Sequence, residues 1–230
     1  MDFLWHAGPL GRLTLDSEAH VLAQSLDDVF GPWLLQLGQW GAERELLGRT
    51  RARRYTVVAP TPGRSADVVA RLSQLPVSAG AVDAVLLPHC LEFEDDPHAV
   101  LREADRVLGG EGQLIVLGFR PASPWGWRAA ASRDGFPPGL RRLLSESRLR
   151  EWLVLLGYEI VQVRRYLYTL PMGSQSTASG QISVRRGWVY PLPAGAYLLK
   201  ARKRLFGATP LRLRRRERRG LLGGALEPSA

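Results

Sequence analysis

The chain has 230 residues, of which 45% are hydrophobic, a composition that suits one globular domain with a sizeable core. Its single cysteine, Cys90, excludes an internal disulfide and a metal site made of several cysteines, and favours a reducing compartment. The N-terminal residues lack the basic and apolar regions of a signal peptide, and no apolar run approaches the ~18 residues of a membrane span. We therefore expect a cytoplasmic protein.

The net charge of +9 is concentrated near the C-terminus. From Lys200 onward there are 10 basic and 2 acidic residues, out of 31 basic and 22 acidic residues in the whole chain. Six arginines between positions 212 and 219 repel one another and have few apolar neighbours to bury. The pattern predicts a disordered tail over residues 207–230 and a folded domain over residues 1–206.

The N-terminal part of the chain predicts one helix and two strands. Residues 8–16 are expected to be irregular, whereas residues 17–30 place apolar side chains on one side of a helix. Residues 33–40 are expected to form the first strand and its turn, and residues 53–59 the second strand. The leading helix either covers the sheet, which we favour, or gates a substrate.

The central part of the chain predicts a strand, a helix and a second strand. Residues 82–87 are almost continuously apolar, as in a strand that is buried on both faces. Asp96 and Pro97 suit the start of a helix, and Gly109-Gly110 predicts its left-handed end. A second apolar strand follows at residues 114–117. This order within about 40 residues is typical of a parallel β-α-β unit, so the sequence predicts an α/β protein.

The segments after the second of these strands predict a long loop, a helix and two strands. The loop covers residues 120–139 and contains several prolines and glycines. A helix is expected over residues 147–156, and strands over residues 158–168 and 194–204. Residues 170–193 are expected to be irregular because they are rich in glycine, serine and threonine.

Three motifs in this order resemble the class I S-adenosylmethionine-dependent methyltransferases. They are L-P followed by V-D-A-V at residues 75–85, D-P-H-A-V-L-R-E-A-D-R-V-L at residues 96–108, and G-Q-L-I-V-L-G-F at residues 112–119. The pairing of P-H-C-L-E-F with the second motif is similar to a small group of bacterial methyltransferase-like proteins. The resemblance covers roughly residues 9–212. It implies a Rossmann-like sheet, mostly parallel with an antiparallel closing strand and helices on both faces, and S-adenosylmethionine as the cofactor.

The resemblance also implies that the cofactor lies over the turn after the first strand. In the family an acidic residue precedes a glycine-rich turn, since a side chain there would collide with the ligand. Here Gln36 stands in place of the acid, and Trp40 stands in place of the second glycine. The cofactor-binding residues implied in this way are Gln36, Gly38, Trp40, Gly41, Leu75, Pro76 and Pro88.

Two further acidic residues of the family are replaced in this chain. The second strand ends in Ala59-Pro60, without the carboxylate that binds the ribose hydroxyls in the family. Arg71 stands where many relatives place an acid near the adenine amine, and Asp67 is interpreted as a surface or capping residue. Either the chain binds the cofactor mainly through backbone and apolar contacts, or it no longer binds it.

His89 is the candidate catalytic residue. It directly follows the strand at residues 82–87, and ligands of open α/β sheets bind at the carboxyl ends of strands. A pKa near ~6.5 suits a general base, although a histidine that hydrogen-bonds its own loop is the alternative. Cys90 is expected to be a packing residue. The acidic residues that follow are expected to form a solvated loop and a helix cap rather than a metal site: Glu92, Glu94, Asp95 and Asp96.

Aromatic residues after residues 114–117 are candidates for an acceptor pocket, because long loops at this edge of a sheet often bind substrates. They are Phe119, Trp125, Trp127 and Phe136. We predict that His89 and residues 125–136 face one pocket. The alternative is that these rings attach the loop to the core.

The function that these features favour is S-adenosylmethionine-dependent methyl transfer to a small-molecule acceptor. The alternative is an inactive methyltransferase fold that binds RNA or another anionic partner through the arginine-rich tail, which can neutralise phosphates. A third hypothesis is attachment of that tail to anionic lipid.

Overall fold

The computed structural model describes residues 3–27, 29, 31–41, 46, 54–172 and 192–204. In chain order the described elements are α1 (Phe3–Ala7), α2 (Pro9–Ser25), β1 (Trp33–Leu37), β2 (Arg54–Ala59), β3 (Val68–Val69), β4 (Val82–Pro88), α3 (Cys90–Phe93), α4 (Pro97–Val107), β5 (Leu108–Phe119), α5 (Pro124–Ala131), α6 (Glu146–Leu155), β6 (Tyr158–Tyr166) and β7 (Ala196–Lys203). The predicted tail and most of residues 170–193 lie outside the described residues.

The described strands form one sheet in the order β3-β2-β1-β4-β5-β7-β6. Strands β1 to β5 pair in parallel, and β7 pairs antiparallel with both β5 and β6. The predicted, mostly parallel sheet with an antiparallel closing strand is therefore confirmed. The chain proceeds in opposite directions across the sheet from the boundary between β1 and β4, which creates a crevice at the carboxyl ends of these strands.

Strand β5 shows how the sequence builds a sheet that is covered on both faces. Leu114 and Val116 belong to a hydrophobic cluster with α4 and α6, whereas Ile115 and Leu117 belong to a second cluster with α2 and α5. Because successive residues of a strand point to opposite faces, a continuous apolar run suits a strand with helices on both sides. The predicted helices on both faces are confirmed.

The N-terminal helix begins earlier than the sequence predicted. Helix α2 starts at Pro9, so most of residues 8–16 are helical and not irregular. Proline suits the first helical position because its missing N–H would have no helical partner there. Gly11 allows α1 and α2 to approach closely, since a Cβ atom at this position would lie 2.3 Å from the carbonyl oxygen of Trp5.

Helix α4 begins as predicted but ends differently. The side chain of Asp96 accepts a hydrogen bond from the N–H of Ala99 at 2.9 Å. At the other end, Gly109 and Gly110 belong to β5, so the predicted glycine stop is wrong. Leu108 is already extended and pairs with β4, so the strand follows the helix directly and needs no left-handed residue between them.

The predicted loop at residues 120–139 contains a helix. Ser123 caps α5, since its Oγ accepts a hydrogen bond from the N–H of Gly126 at 3.0 Å. The strands predicted at residues 53–59, 82–87, 158–168 and 194–204, and α6, begin and end within two residues of their predicted limits, whereas β5 begins six residues before the predicted start at residue 114. Of the helices that the structure describes, none combines the length and the apolar character needed to cross a bilayer.

Candidate active site

A cavity of about 420 Å³, called the pocket below, opens at the carboxyl ends of β1, β2 and β4. It therefore lies where the strand order diverges, which is the usual ligand site of open α/β sheets. Its polar and turn residues come from separate parts of the chain and include Gly38, Gln39, Thr61, Cys90, Glu94 and Arg141.

Gly38 gives the pocket its shape next to β1. Its φ of +89° lies in the left-handed region, and a Cβ atom there would lie 2.9 Å from the Cβ of Cys90. Its N–H donates a hydrogen bond to the carbonyl of Val58 at 2.8 Å, which ties the turn to β2. A side chain at this position would strain the turn and press on a residue that lines the pocket.

Gln39 lines the pocket and carries a buried hydrogen-bond donor that lacks a partner within the described part of the chain. It is 5% exposed, and among the residues that the structure describes its Nε2 finds no hydrogen-bond partner. The amide group packs against Gly63, where a Cβ atom would lie 2.2 Å from the glutamine Oε1. A buried polar group without a partner costs free energy that a bound ligand can recover. This donor therefore suits a polar ligand.

The charged residues that line the pocket leave one carboxylate in excess. The guanidinium of Arg141 forms an ion pair with Asp95. Burial raises the pKa of Glu94, and the charge of Arg141 partly opposes that rise. With two carboxylates and one guanidinium among its lining residues, the pocket suits a ligand that carries positive charge.

Of the predicted cofactor residues, Gly38 alone lines the pocket. Gln36 is buried, and its Nε2 donates to the carbonyl of Gly38 at 2.9 Å, so its amide closes the turn. Pro88 is the last residue of β4 and is buried. Gly41 is also buried, with a φ of 86°. Cofactor roles for these residues stay predictions.

Leu75 and Pro76, which were predicted to contact the cofactor, do not line the pocket, and Leu75 is hydrogen-bonded to α4. The N–H of Leu75 donates to Glu103 at 2.6 Å, and its carbonyl accepts a hydrogen bond from Arg106 at 3.2 Å. From this part of the chain the pocket receives Leu72 instead. A role of Leu75 and Pro76 in cofactor binding also stays a prediction.

His89 lies in a buried group of side chains, called the His89 cluster below, which consists of Glu18, Trp40, His89 and Glu92. The imidazole Nε2 is 2.8 Å from Glu18 Oε1, and its Nδ1 is 2.9 Å from Glu92 Oε2. The indole N–H of Trp40 donates to the other oxygen of Glu18, and the indole stacks on the imidazole at 4.3 Å. The cluster thus joins α2, the turn after β1, and α3.

The predicted role of His89 as a general base does not suit this geometry. Burial lowers the pKa of His89, but the carboxylates of Glu18 and Glu92 raise it more, to about 9. A ring that is protonated at neutral pH cannot accept another proton, and this ring is completely buried. The arrangement agrees better with a structural histidine whose two N–H groups both donate to carboxylates.

The expectation that Glu92 is solvated was wrong. Its side chain is 1% exposed, and burial raises its pKa, which the nearby His89 partly lowers. Its second oxygen accepts a hydrogen bond from the N–H of Phe119 at 2.9 Å. Asp96, by contrast, is the predicted helix cap. Within the described residues no group of histidine, cysteine, aspartate and glutamate side chains is placed to hold a metal ion.

Three of the predicted acceptor residues, Phe119, Trp125 and Phe136, pack together, and none of the four lines the pocket. The ring of Phe119 lies 4.2 Å from that of His89, and Trp125 stacks on Phe119 at 6.1 Å. Trp125 is buried, Trp127 is 64% exposed, and Phe136 lies under the guanidinium of Arg128. His89 thus lies in the core beside Phe119, and neither His89 nor any of residues 125–136 lines this pocket, so a shared pocket stays a prediction. It matches the alternative in which the rings attach the segment to the core.

Comparisons with known proteins agree with this fold. The methyltransferase domain family matches residues 44–116. The uncharacterized protein YafS of Escherichia coli is 32% identical over 168 residues, which cover 73% of this chain and 69% of that protein. The chain belongs to the class I S-adenosylmethionine-dependent methyltransferase superfamily. A second relative, the uncharacterized protein Rv2003c of Mycobacterium tuberculosis, is 29% identical over 183 residues, or 73% of this chain and 60% of that protein.

Two solved structures share the fold of this methyltransferase domain. A methyltransferase of Thermotoga maritima, a possible histamine N-methyltransferase, has a TM-score of 0.66 at 20% identity and covers 87% of this chain and 93% of its own. The 1,6-didemethyltoxoflavin-N1-methyltransferase of Burkholderia thailandensis, with bound substrate and S-adenosylhomocysteine, has a TM-score of 0.55 at 16% identity, and the match covers 84% and 81% of the two chains.

S-adenosylmethionine is the cofactor of this superfamily, and the pocket suits it in three respects. Gly38 leaves space where a side chain would narrow the pocket, Gln39 offers an unused donor, and the excess carboxylate suits a sulfonium cation. The acids expected at the ends of β1 and β2 are absent, so these other features have to replace them.

Proposed function

We propose that the protein transfers a methyl group from S-adenosylmethionine to a small-molecule acceptor at the pocket. The observation that carries the proposal is the unused donor of Gln39 beside the glycine turn, at the place where the strand order diverges. Membership of the superfamily supports the reaction. The substrate named for the Burkholderia neighbour, a small heterocycle, supports the class of acceptor.

When it is bound, S-adenosylmethionine supplies an electrophilic methyl group. In the proposal, the residues of this chain position it and exclude water, which is the main requirement of such a transfer. The amide of Gln39 donates a hydrogen bond, and the hydroxyl of Thr61 at the end of β2 offers a polar contact where the family has an acid. Leu72 and Phe93 supply apolar contacts to the pocket.

An acceptor that carries a proton on its nucleophilic atom also needs a group that can receive that proton. His89 is already protonated and has no access to the pocket. Among the lining residues, Glu94 suits this role, since burial raises the pKa of its carboxyl and brings it nearer to neutral pH. Burial likewise raises the pKa of the Cys90 thiol, which stays protonated.

Isothermal titration calorimetry with the full-length protein tests the proposal. We expect S-adenosylmethionine and S-adenosylhomocysteine each to bind at one site. The absence of binding of both compounds at millimolar concentration would overturn the proposal. Incubation with small amine, hydroxyl and heterocyclic nucleophiles, with release of S-adenosylhomocysteine as the readout, then identifies the acceptor class.

Contact of residues 207–230 with nucleic acid or anionic lipid stays a prediction from the sequence, since these residues lie outside the part that the structure describes. A cytoplasmic location also stays a prediction from the sequence.

A further inference from the structure

Trp40 is a large residue beside a turn that forms the wall of the pocket. It directly follows Gln39, and its ring lies 6.1 Å from the ring of Phe93, which also lines the pocket. Yet the side chain of Trp40 is only 1% exposed and lies in the core, stacked on His89 at 4.3 Å. The indole therefore borders the pocket without entering it.

A hydrogen bond from a distant part of the chain holds this ring in the core. The indole N–H, which is the only polar group of the side chain, donates to Oε2 of Glu18 on α2. The other oxygen of Glu18 accepts from Nε2 of His89 at 2.8 Å and from the hydroxyl of Tyr166 at 3.4 Å. Glu18 is completely buried, so its carboxylate has a fixed position.

The side chains around Glu18 explain how a buried carboxylate can accept the hydrogen bond of the Trp40 indole. A buried carboxylate needs a counter-charge and further hydrogen bonds, which the protonated His89 and Tyr166 supply. His89 is held from its other side by Glu92, whose second oxygen accepts from the N–H of Phe119. The cluster therefore fixes Glu18 through α3 and the end of β5.

Two properties of the turn make the position of the ring matter. Glycines flank Gln39-Trp40 on both sides, with φ values of 89° and 86°, and because glycine has more backbone conformations available than other residues, this turn resists reorientation of Trp40 less than a turn without glycine would. In addition, the pocket volume of about 420 Å³ can accommodate an indole. A Trp40 ring without a partner in the core could therefore turn into the pocket and occupy ligand space.

We propose that Glu18 is a positioning residue for cofactor binding, because it holds the Trp40 ring in the core and keeps the pocket open. The identity of the ligand in this inference rests on the proposed function, whereas the role of Glu18 in holding the Trp40 ring does not. The inference also gives α2 a part in the site: besides covering the sheet, this helix carries the residue that fixes the cofactor turn.

The test compares two variants at position 18 in the full-length protein. In Glu18→Leu the indole N–H has no acceptor, and we expect S-adenosylhomocysteine to bind about tenfold more weakly or worse by calorimetry. The double variant Glu18→Leu/Trp40→Phe should recover affinity to within about threefold of wild type, because a phenyl ring is smaller and has no N–H to satisfy. A defect of stability alone would leave the affinity of the folded Glu18→Leu protein at its wild-type value.

Thr14→Val is the matched control on the same helix. Thr14 is completely buried, and its hydroxyl donates to the carbonyl of Leu10 within α2 at 2.8 Å. We expect this variant to bind S-adenosylhomocysteine like the wild type. Thermal melts of every variant establish that binding is measured on folded protein. If Glu18→Leu does not fold, Glu18→Met replaces it, because its unbranched side chain has no oxygen to accept from the indole, with the same rescue by Trp40→Phe.

Hydrogen exchange of the Trp40 indole N–H, assigned by its loss in Trp40→Phe, gives a readout that needs no ligand. We expect slow exchange in the wild type and fast exchange in the folded position-18 variant. Unchanged exchange, wild-type affinity, or a double variant that binds no better than the single variant would each overturn the inference. Absence of binding by the wild type would overturn the proposed function instead, and the exchange experiment would still decide the position of the ring.

Discussion

The pocket and the His89 cluster are built from the same two loops, yet one is open and the other is closed. After β1, Gln39 lines the pocket while Trp40 packs into the core. After β4, Cys90 lines the pocket while His89 is completely buried. Adjacent residues thus serve either the ligand site or the structure beneath it.

The pocket and the His89 cluster differ in the hydrogen-bond partners that other parts of the chain supply. In the His89 cluster, Glu18 from α2 and the N–H of Phe119 from β5 provide partners for the polar atoms. At the pocket, Gln39 has a buried donor that finds no partner in the part of the chain that the structure describes. The pocket has an unsatisfied donor, as a candidate ligand site can have, whereas the charges of the His89 cluster are satisfied, as in a structural cluster. The sequence offers similar residues for both.

Removal of the central charge of the cluster should have the largest effect. His89→Asn leaves Glu18 and Glu92 buried without their counter-charge, and we expect the free energy of unfolding to fall by about 3–5 kcal/mol in urea denaturation. Asparagine tolerates the φ of 56° at this position, so the backbone is not the cause. His20→Asn, on the exposed side of α2, is the control and should change stability by less than about 0.5 kcal/mol. Wild-type stability with lost activity would favour the general base instead.

The charge on His89 should also make stability depend on pH. Its pKa in the folded protein, about 9, is above its unfolded value of 6.5, so its contribution is complete below about pH 6.5 and is lost as the pH rises through about 9. The contribution is at most about 3 kcal/mol. The groups that face the ring are Glu18, Glu92 and the Trp40 indole, with Tyr166 on Glu18.

Urea denaturation of wild type and His89→Asn between pH 6 and pH 10 measures this contribution. The difference between the two proteins should narrow as the pH rises, because neutral His89 no longer offsets the carboxylates. Ionisation of the buried Cys90 and Tyr166 affects both proteins alike and cancels in the difference. A constant difference across this range would mean that His89 is not charged in the native protein.

A side chain added at Gly38 should weaken ligand binding at the pocket. Gly38→Ala places a Cβ atom 2.9 Å from that of Cys90, and we expect S-adenosylhomocysteine to bind about tenfold more weakly. Gly80→Ala is the matched control, since its φ is +67° and nothing lies within 4 Å of an added Cβ. Both variants carry the backbone strain of about 1 kcal/mol, so stability falls in both. Equal affinities of the two variants would show that the space beside Cys90 is not used by the ligand.

The smallest effect is expected at the unused donor. Gln39→Leu removes a buried N–H donor for which the described residues offer no partner, so the ligand-free protein should be as stable as the wild type or more stable. The affinity for S-adenosylhomocysteine should fall about threefold, because a hydrogen bond to the ligand is lost. Thermal melts and calorimetry measure the two quantities. A variant that loses stability and keeps its affinity would show that Gln39 is structural.

Much of the fold could be predicted because its signals are local. The apolar run at the start of β4, the cap at Asp96 and the face of α4 each depend on residues close in sequence, and they fixed the β-α-β unit. The short elements α1, β3 and α3 were missed because a few residues show no periodicity. The start of α2 was missed because Gly11 serves a contact with α1 that no local pattern announces.

The sequence by itself determined the superfamily, the strand ends at which the pocket opens, and the glycine of the turn at position 38. The tertiary structure alone decided which neighbours of that glycine line the pocket. The chemical character of His89 depends on Glu18, which lies 71 positions away in the chain, and on burial, which strengthens the effect of the two carboxylates on its pKa. A histidine that the sequence predicts as a base, from its place after a strand, lies in the folded protein between two buried carboxylates that raise its pKa.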